Sequence, residues 1–243
     1  MQLTCNRTEL IRAISLAERA VAIRNPMYVL EGLYMEAKDQ TLTFISNNME
    51  LGIQCAIAAD IKQEGATVVK ASLFCDAVRK LPDYEDVVAI SVEENMKLSC
   101  GNAKFDFSTI NPDEFPKLPY IEETQSFTIG EGMLKSMLKQ TMYAVAQIDS
   151  KPVLTGNYIN IKDGHIVVVG CDGYRIAIRK EAVTAPEEIK CIIPAKTSKE
   201  LLSILSDGED EAAVTLSSNY AAIQLSHCLL ITRLIEGEYF DYC

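Results

Sequence analysis

Val29-Leu30-Glu31-Gly32-Leu33-Tyr34 and Val153-Leu154-Thr155-Gly156-Asn157-Tyr158 share the pattern V-L-x-G-x-Y, every matched pair 124 positions apart. The same offset places Thr4 on Thr128, Leu10 on Leu134, Ala20-Val21-Ala22 on Ala144-Val145-Ala146, Ala71 on Ala195, Leu81 on Leu205 and Asp83 on Asp207. Glu85-Asp86 falls on Glu209-Asp210 and Glu114-Phe115 on Glu238-Tyr239, so the match runs through both halves without a gap. Self-similarity at a fixed offset means a duplicated unit. The polar stretch 119–126, opened by Pro119, is the natural junction, giving domains of about 1–119 and 125–243.

Each copy carries the same order of periodicities. From Arg7 to Val21, Leu10, Ile14, Ala17 and Val21 form one helical stripe, and the second copy repeats it with Leu134, Leu138, Thr141 and Val145. Strand-like runs follow at 33–36, 41–45 and 53–58, and at 158–161, 165–169 and 175–178, with Asp163-Gly164 as a hairpin turn. A second helix is expected over 72–81, closed by Pro82, with Leu73, Phe74, Ala77 and Val78 facing a sheet. Its counterpart is 198–205, where Thr197-x-x-Glu200 has capping-box spacing. Three more strands close each copy, around 87–92, 96–100 and 104–109 in the first. The expected class is α+β: tandem domains, each with two helices on one face of antiparallel sheets.

Composition narrows the function. With 48% hydrophobic and 23% charged residues the chain is globular, and with no apolar run of membrane or signal length the cytoplasm is the expected compartment. Eight scattered cysteines with two histidines make no metal or disulfide framework, so reduced thiols and no cofactor are expected. There is no P-loop, no G-x-G-x-x-G, no H-E-x-x-H and no G-x-S-x-G; His165 and His227 fall in expected strands, and Glu93-Glu94 and Glu187-Glu188 read as solvated turns. An enzyme is not indicated.

A net charge of −11 argues against a nucleic-acid partner unless the positive charge is concentrated. It is, in the helical segments. Arg7, Arg12, Arg19 and Arg24 outnumber Glu9 and Glu18; Arg79 and Lys80 outnumber Asp76; Lys135, Lys139 and Lys151 outnumber Glu131 and Asp149; Lys196 and Lys199 outnumber Glu200. A helix-lined positive surface backed by acidic loops suits loose, sequence-independent contact with a phosphate backbone.

Cys171-Asp-Gly-Tyr-Arg-Ile-Ala177 stands out between two expected strands and reads, by itself, as an Asp-Gly hairpin turn. Taken with the opening M-x-L-T, Arg24-Asn-Pro with Leu30-x-Gly32, Phe107-Ser-Thr-Ile-Asn-Pro-Asp-Glu-Phe-Pro116 and Leu234-Ile-Glu-Gly-Glu-Tyr-Phe-Asp-Tyr242, it resembles the bacterial DNA polymerase III beta subunit, the sliding-clamp family, over essentially the whole chain. The resemblance implies a processivity factor of DNA replication that encircles duplex DNA. It also implies a pocket that tethers the polymerase alpha subunit, the clamp loader and other polymerases or repair proteins through short peptides with apolar anchors. Arg24 and Lys151 are then expected DNA contacts, with Arg12, Arg19, Arg79, Lys80, Lys135, Lys139, Lys196 and Lys199 added from their helical positions. The pocket is expected from Leu154, Cys171, Gly173, Tyr174, Arg175, Ile176 and Phe240. The family has three such domains per protomer and closes a ring from two. Two copies here imply a shortened form with compromised ring closure and a weakened pocket, or a two-domain protomer closing a ring of three. An enzyme using the groove between the domains is the alternative from another class.

Overall fold

A computed structural model describes residues 1–122, 125–148, 151–184 and 188–242. Asp149, Glu187, Cys243 and two residues of the 119–126 junction lie outside them. The chain divides into two compact units, 1–118 with 227–229, and 119–226 with 230–243.

In the first unit, β1 (Gln2–Asn6) leads into α1 (Arg7–Ala17). The Asn6 side chain caps this helix by accepting from the backbone N–H groups of Thr8 and Glu9 at 2.9 and 3.1 Å. Leu10, Ala13, Ile14 and Ala17 are buried on one stripe, while the helix yields to a single 3-10 turn at Glu18–Ala20 instead of running to Val21. The hairpin strands β2 (Gly32–Lys38) and β3 (Thr41–Asn47) turn at Asp39 and Gln40, both at positive φ (48° and 56°), the geometry of a two-residue type I′ turn. Next come β4 (Leu51–Gln63), β5 (Gly65–Lys70), α2 (Ala71–Arg79), β6 (Val87–Val92), β7 (Asn95–Cys100) and β8 (Ala103–Ile110).

The strand order β1-β6-β7-β8-β5-β2-β3-β4 closes on itself, because β4 is long enough to serve two neighbours. Its first part pairs with β3 (Gly52 to Ala58) and its second with β1 (Ala59 to Gln63), which removes free edges between them. Phe44, Phe74, Leu33, Met35, Leu42 and Ile53 are fully buried inside. Each such side chain contributes roughly 1.5–3 kcal/mol of burial.

The second unit repeats the order: β9 (Gln125–Gly130), α3 (Glu131–Thr141), β10 (Gly156–Lys162), β11 (His165–Cys171), β12 (Ile176–Ala182), β13 (Ile189–Pro194), α4 (Ala195–Ile204), β14 (Glu211–Leu216), β15 (Tyr220–Gln224) and β16 (Cys228–Arg233). Here β12-β11-β10-β13 form one sheet, and β16, β15, β14 and β9 follow one another in a second. The Asp163-Gly164 turn again has both residues at positive φ, at the repeat positions of Asp39 and Gln40.

Several expectations need correction. The helix α4 starts at Ala195 behind Pro194, so Thr197 is no cap; its buried hydroxyl bonds that of Thr232 at 2.7 Å. Leu73 is 58% exposed, and Cys75 takes its place beside Phe74, Ala77 and Val78 in the core. Arg175 precedes β12 and belongs to the turn, and His227 lies just before β16.

Candidate functional site: a hairpin tip and two tied loops

The turn between β11 and β12 is built by one aspartate. Asp172 Oδ1 accepts from the backbone N–H groups of Tyr174 and Arg175, each at 3.0 Å, and its Oδ2 accepts from Arg175 Nε at 2.9 Å. The N–H of Asp172 bonds the Arg175 carbonyl at 3.3 Å, and the Gly173 N–H donates to Cys171 Sγ at 3.3 Å. Gly173 sits at φ 89°, a conformation that only glycine adopts at little cost. The Tyr174 and Arg175 N–H groups, followed by the guanidinium, hold the Asp172 carboxyl below its usual range. On its other side the guanidinium lies 5.6 Å from the centre of the Tyr143 ring. Tyr143 and Asp172 thus fix Arg175. The Asp-x-x-Arg spacing carried a signal for the second, but nothing in the sequence joined Tyr143 to the turn.

With the turn fixed, Tyr174 stands fully exposed and Ile176 exposes part of its side chain, while Cys171 and Leu154 are buried. Leu154 belongs to the sheet end that the turn occupies, since Gly156 leads into β10 and β10 pairs with β11 from Tyr158–Val169 onward. Phe240 stacks on Tyr239 with ring centres 4.7 Å apart, and Tyr239 stacks on Tyr158 of β10 at 4.5 Å. Tyr242 meets the Tyr158 ring edge-on with ring centres 5.9 Å apart, and its hydroxyl accepts from Asn160 Nδ2 at 2.8 Å. The seven expected pocket residues all belong to the second unit. Grooves of about 730 and 490 Å³ lie beside β9 and beside the 234–239 segment, the second lined by Tyr158 and Tyr239 of the stack.

The expected DNA-contacting cations separate into two sets. Arg12 pairs with Glu9 at 3.3 Å, Arg79 with Glu18 and Asp76, and Lys135 with Asp207 at 3.0 Å; Arg19 and Lys196 are also engaged. Arg12 and Arg79 pair with acids already set against them in the charge count, whereas Asp207 lies outside the counted segments, so the count could not reveal its pairing with Lys135. Arg7, counted with them, is withdrawn altogether, its guanidinium donating to the Leu81 carbonyl at 3.0 Å. Arg24, Lys80, Lys139, Lys151 and Lys199 are exposed and carry no ion pair among the described residues.

Arg24 and Lys151 share a setting. The N–H of Ala22 bonds the Leu30 carbonyl at 3.0 Å, and the N–H of Ala146 bonds that of Leu154, also at 3.0 Å, at the same repeat positions. Each loop is tied at its base and holds its cation outward.

A family profile described as the DNA polymerase III beta subunit, N-terminal domain, matches residues 1–119, and one for the central domain of that subunit matches 128–241. The chain belongs to this family. Its relatives include the beta sliding clamp of Halalkalibacterium halodurans, 28% identical over 98% of this chain, and that of Bacillus subtilis, 26% identical over 99%. Among solved structures, a DNA polymerase III beta subunit from Eubacterium rectale is 30% identical with a TM-score of 0.94, covering 99% of this chain and 67% of that one. The Bacillus subtilis sliding clamp is 27% identical with a TM-score of 0.95, covering 99% and 66%. The chain spans 66% of the length of the curated relatives it matches.

For this clamp-family chain, the described residues hold no group of three or more His, Cys, Asp or Glu placed to bind a metal. Among the described residues, seven cysteines, Cys5, Cys55, Cys75, Cys100, Cys171, Cys191 and Cys228, are buried and form no disulfide. Burial pushes the thiols of Cys5, Cys75 and Cys191 up to about 12, which keeps them protonated and inert. Among the described residues, no helix is long and apolar enough to cross a membrane.

Proposed function

We propose that this chain works as a non-catalytic processivity clamp of DNA replication. It contacts duplex DNA through phosphates without reading sequence and tethers the polymerase and clamp loader through short peptides. The observation that carries the reading is the pinned tip at 171–176, which exposes Tyr174 and Ile176 while Cys171 stays buried. Exposed apolar side chains beside one fixed guanidinium suit an extended peptide with apolar anchors better than a small substrate. Arg24 and Lys151, with Lys80, Lys139 and Lys199, supply the phosphate contacts, and self-association into a ring is the assembly the family membership supports.

Fluorescence anisotropy with a labelled peptide carrying two apolar anchors tests the tether. Ile176→Asp is expected to weaken binding by an order of magnitude or more, because it buries a charge without a partner. Lys199→Ala is expected to leave peptide binding unchanged. Equal affinity of Ile176→Asp and the parent chain would remove the pocket from this place.

A further inference from the structure

One strand edge is closed in the first unit and open in the second. In the first, the end of β4 adds to β1 as an antiparallel strand, with Ala59 opposite Cys5, Asp60 opposite Thr4 and Ile61 opposite Leu3. The repeat places β9 on β1 and β12 on β4, with Val183 at the position of Ala59. Both residues bond a turn carbonyl through their N–H at 3.0 Å, Ala59 that of Gln40 and Val183 that of Gly164, so the copies still agree there. Beyond that point they part. The strand β12 stops at Ala182, and β9 pairs with β14 alone among the described residues, ending its sheet. A groove of about 730 Å³ takes the place of the lost pairing, lined by β9, by Ala182, Val183 and Thr184, and by Met133 of α3. The chain's own continuation is ill suited to fill it, since Pro186 has no N–H to give a ladder.

The open edge is set up for pairing. The Glu131 N–H bonds the Asp210 carbonyl at 2.7 Å, in line with the β9–β14 register. Backbone groups along an antiparallel strand alternate in direction, so Phe127 and Ile129 turn theirs to β14, and Ser126 and Thr128 turn theirs to the groove. The strand carries no charge and no proline, the usual protections of a free edge. Buried Phe127, Ile129 and Val214 add apolar lining. A row of backbone donors and acceptors beside such lining fits an extended polypeptide, whose own backbone completes the ladder while alternate side chains pack.

We propose that β9 is a strand-docking edge, to which an extended segment of a partner protein adds antiparallel, as the end of β4 adds to β1. Thr128 stands at the centre of the added ladder, where Thr4 meets Asp60 in the first unit. Apolar side chains of the segment, at the positions of Ala59 and Ile61, lie beside Ile129 and Phe127. The groove shares no residue with the turn 171–176 and gives the protein a second place of attachment.

The test uses the full chain and a labelled synthetic peptide copying Ile57 to Glu64, the segment that covers the equivalent edge in the first unit. Anisotropy is expected to show saturable binding that a peptide for the turn 171–176 does not displace. Thr128→Pro removes one groove-facing N–H and leaves those that bond β14, and is expected to weaken binding on the order of ten-fold or more. Thr128→Val keeps the N–H and is expected to bind as the parent does. The parent chain supplies a second contrast. N-methylation of the peptide at Asp60 is expected to cause the same loss, and at Ile61 none, because in the first unit the Ile61 N–H turns away from β1 to Gln40 Oε1 at 3.1 Å. No saturable binding, equal affinity for the two methylated peptides, or displacement by the peptide for the turn overturns the proposal. Concentration-dependent dimerisation that Thr128→Pro removes also overturns it, since the edge then belongs to a second copy.

Discussion

At position 7 of each copy the repeat solves one problem with opposite charges. Arg7 donates to the Leu81 carbonyl beyond the end of α2, and Glu131, 124 positions later, accepts from the Ser206 N–H at 2.8 Å beyond the end of α4. Each side chain ties the start of one helix to the end of the other. Glu131 is buried, so removing it leaves the Ser206 N–H unpaired. Glu131→Ala is expected to cost about 1–3 kcal/mol in urea unfolding. Glu131→Gln keeps an acceptor oxygen and is expected to cost much less. At the hairpin tip, the depressed Asp172 carboxyl ionises at lower pH in the folded state than in the unfolded one. Its contribution to the turn is therefore fully present above the usual carboxylate value of 3.8 and lost as pH falls through the lower folded value. NMR titration of Asp172 is expected to place its midpoint below 3.8, and Arg175→Ala to move it upward.

Strand spacing explains the glycine of the repeated V-L-x-G-x-Y motif. A Cβ on Gly156 would run into the Ile193 carbonyl oxygen on the paired strand β13, and one on Gly32 would meet Val68 Cγ1 on β5. Backbone cannot yield as a side-chain tip can. Gly156→Ala is expected to cost about 2 kcal/mol or more. Gly164→Ala, with open space around it and only a positive φ to bear, is expected to cost about 1 kcal/mol. Thermal unfolding of the two variants separates these effects. The motif that exposed the duplication is thus a packing constraint, which is why it survives in both copies. Periodicity made the helices and most strands legible, since the buried stripe Leu10–Ile14–Ala17 and the alternation Met96–Leu98–Cys100 follow directly from side-chain geometry. The start of α4 was not, because Thr197 satisfies its hydroxyl with a residue 35 positions away and no local spacing reports that. Tyr143 over Arg175 escaped for the same reason.

Charge is a property of the whole molecule, and here sequence counting and geometry part company. A net −11 and four positive helical segments suggested helix faces as the seat of attraction. With Arg12, Arg79 and Lys135 already paired, the proposed function assigns the attraction to the cations that carry no ion pair among the described residues, two of them on the tied loops. Binding to duplex DNA should then be weak and steeply salt-dependent, with log K falling against log salt by about 0.9 per phosphate neutralised. Arg24→Ala and Lys151→Ala are each expected to reduce that slope by about one, whatever the DNA sequence. Lys135→Ala behaves differently: its charge is already spent on Asp207, so the slope is expected to stay within a few tenths of the parent value. A titration series at several salt concentrations on two unrelated sequences reads all three variants. Should Lys135→Ala lower the slope as much as Arg24→Ala, the helix faces and not the loops would carry the contact, and the pairing seen in the isolated chain would have to break when DNA arrives.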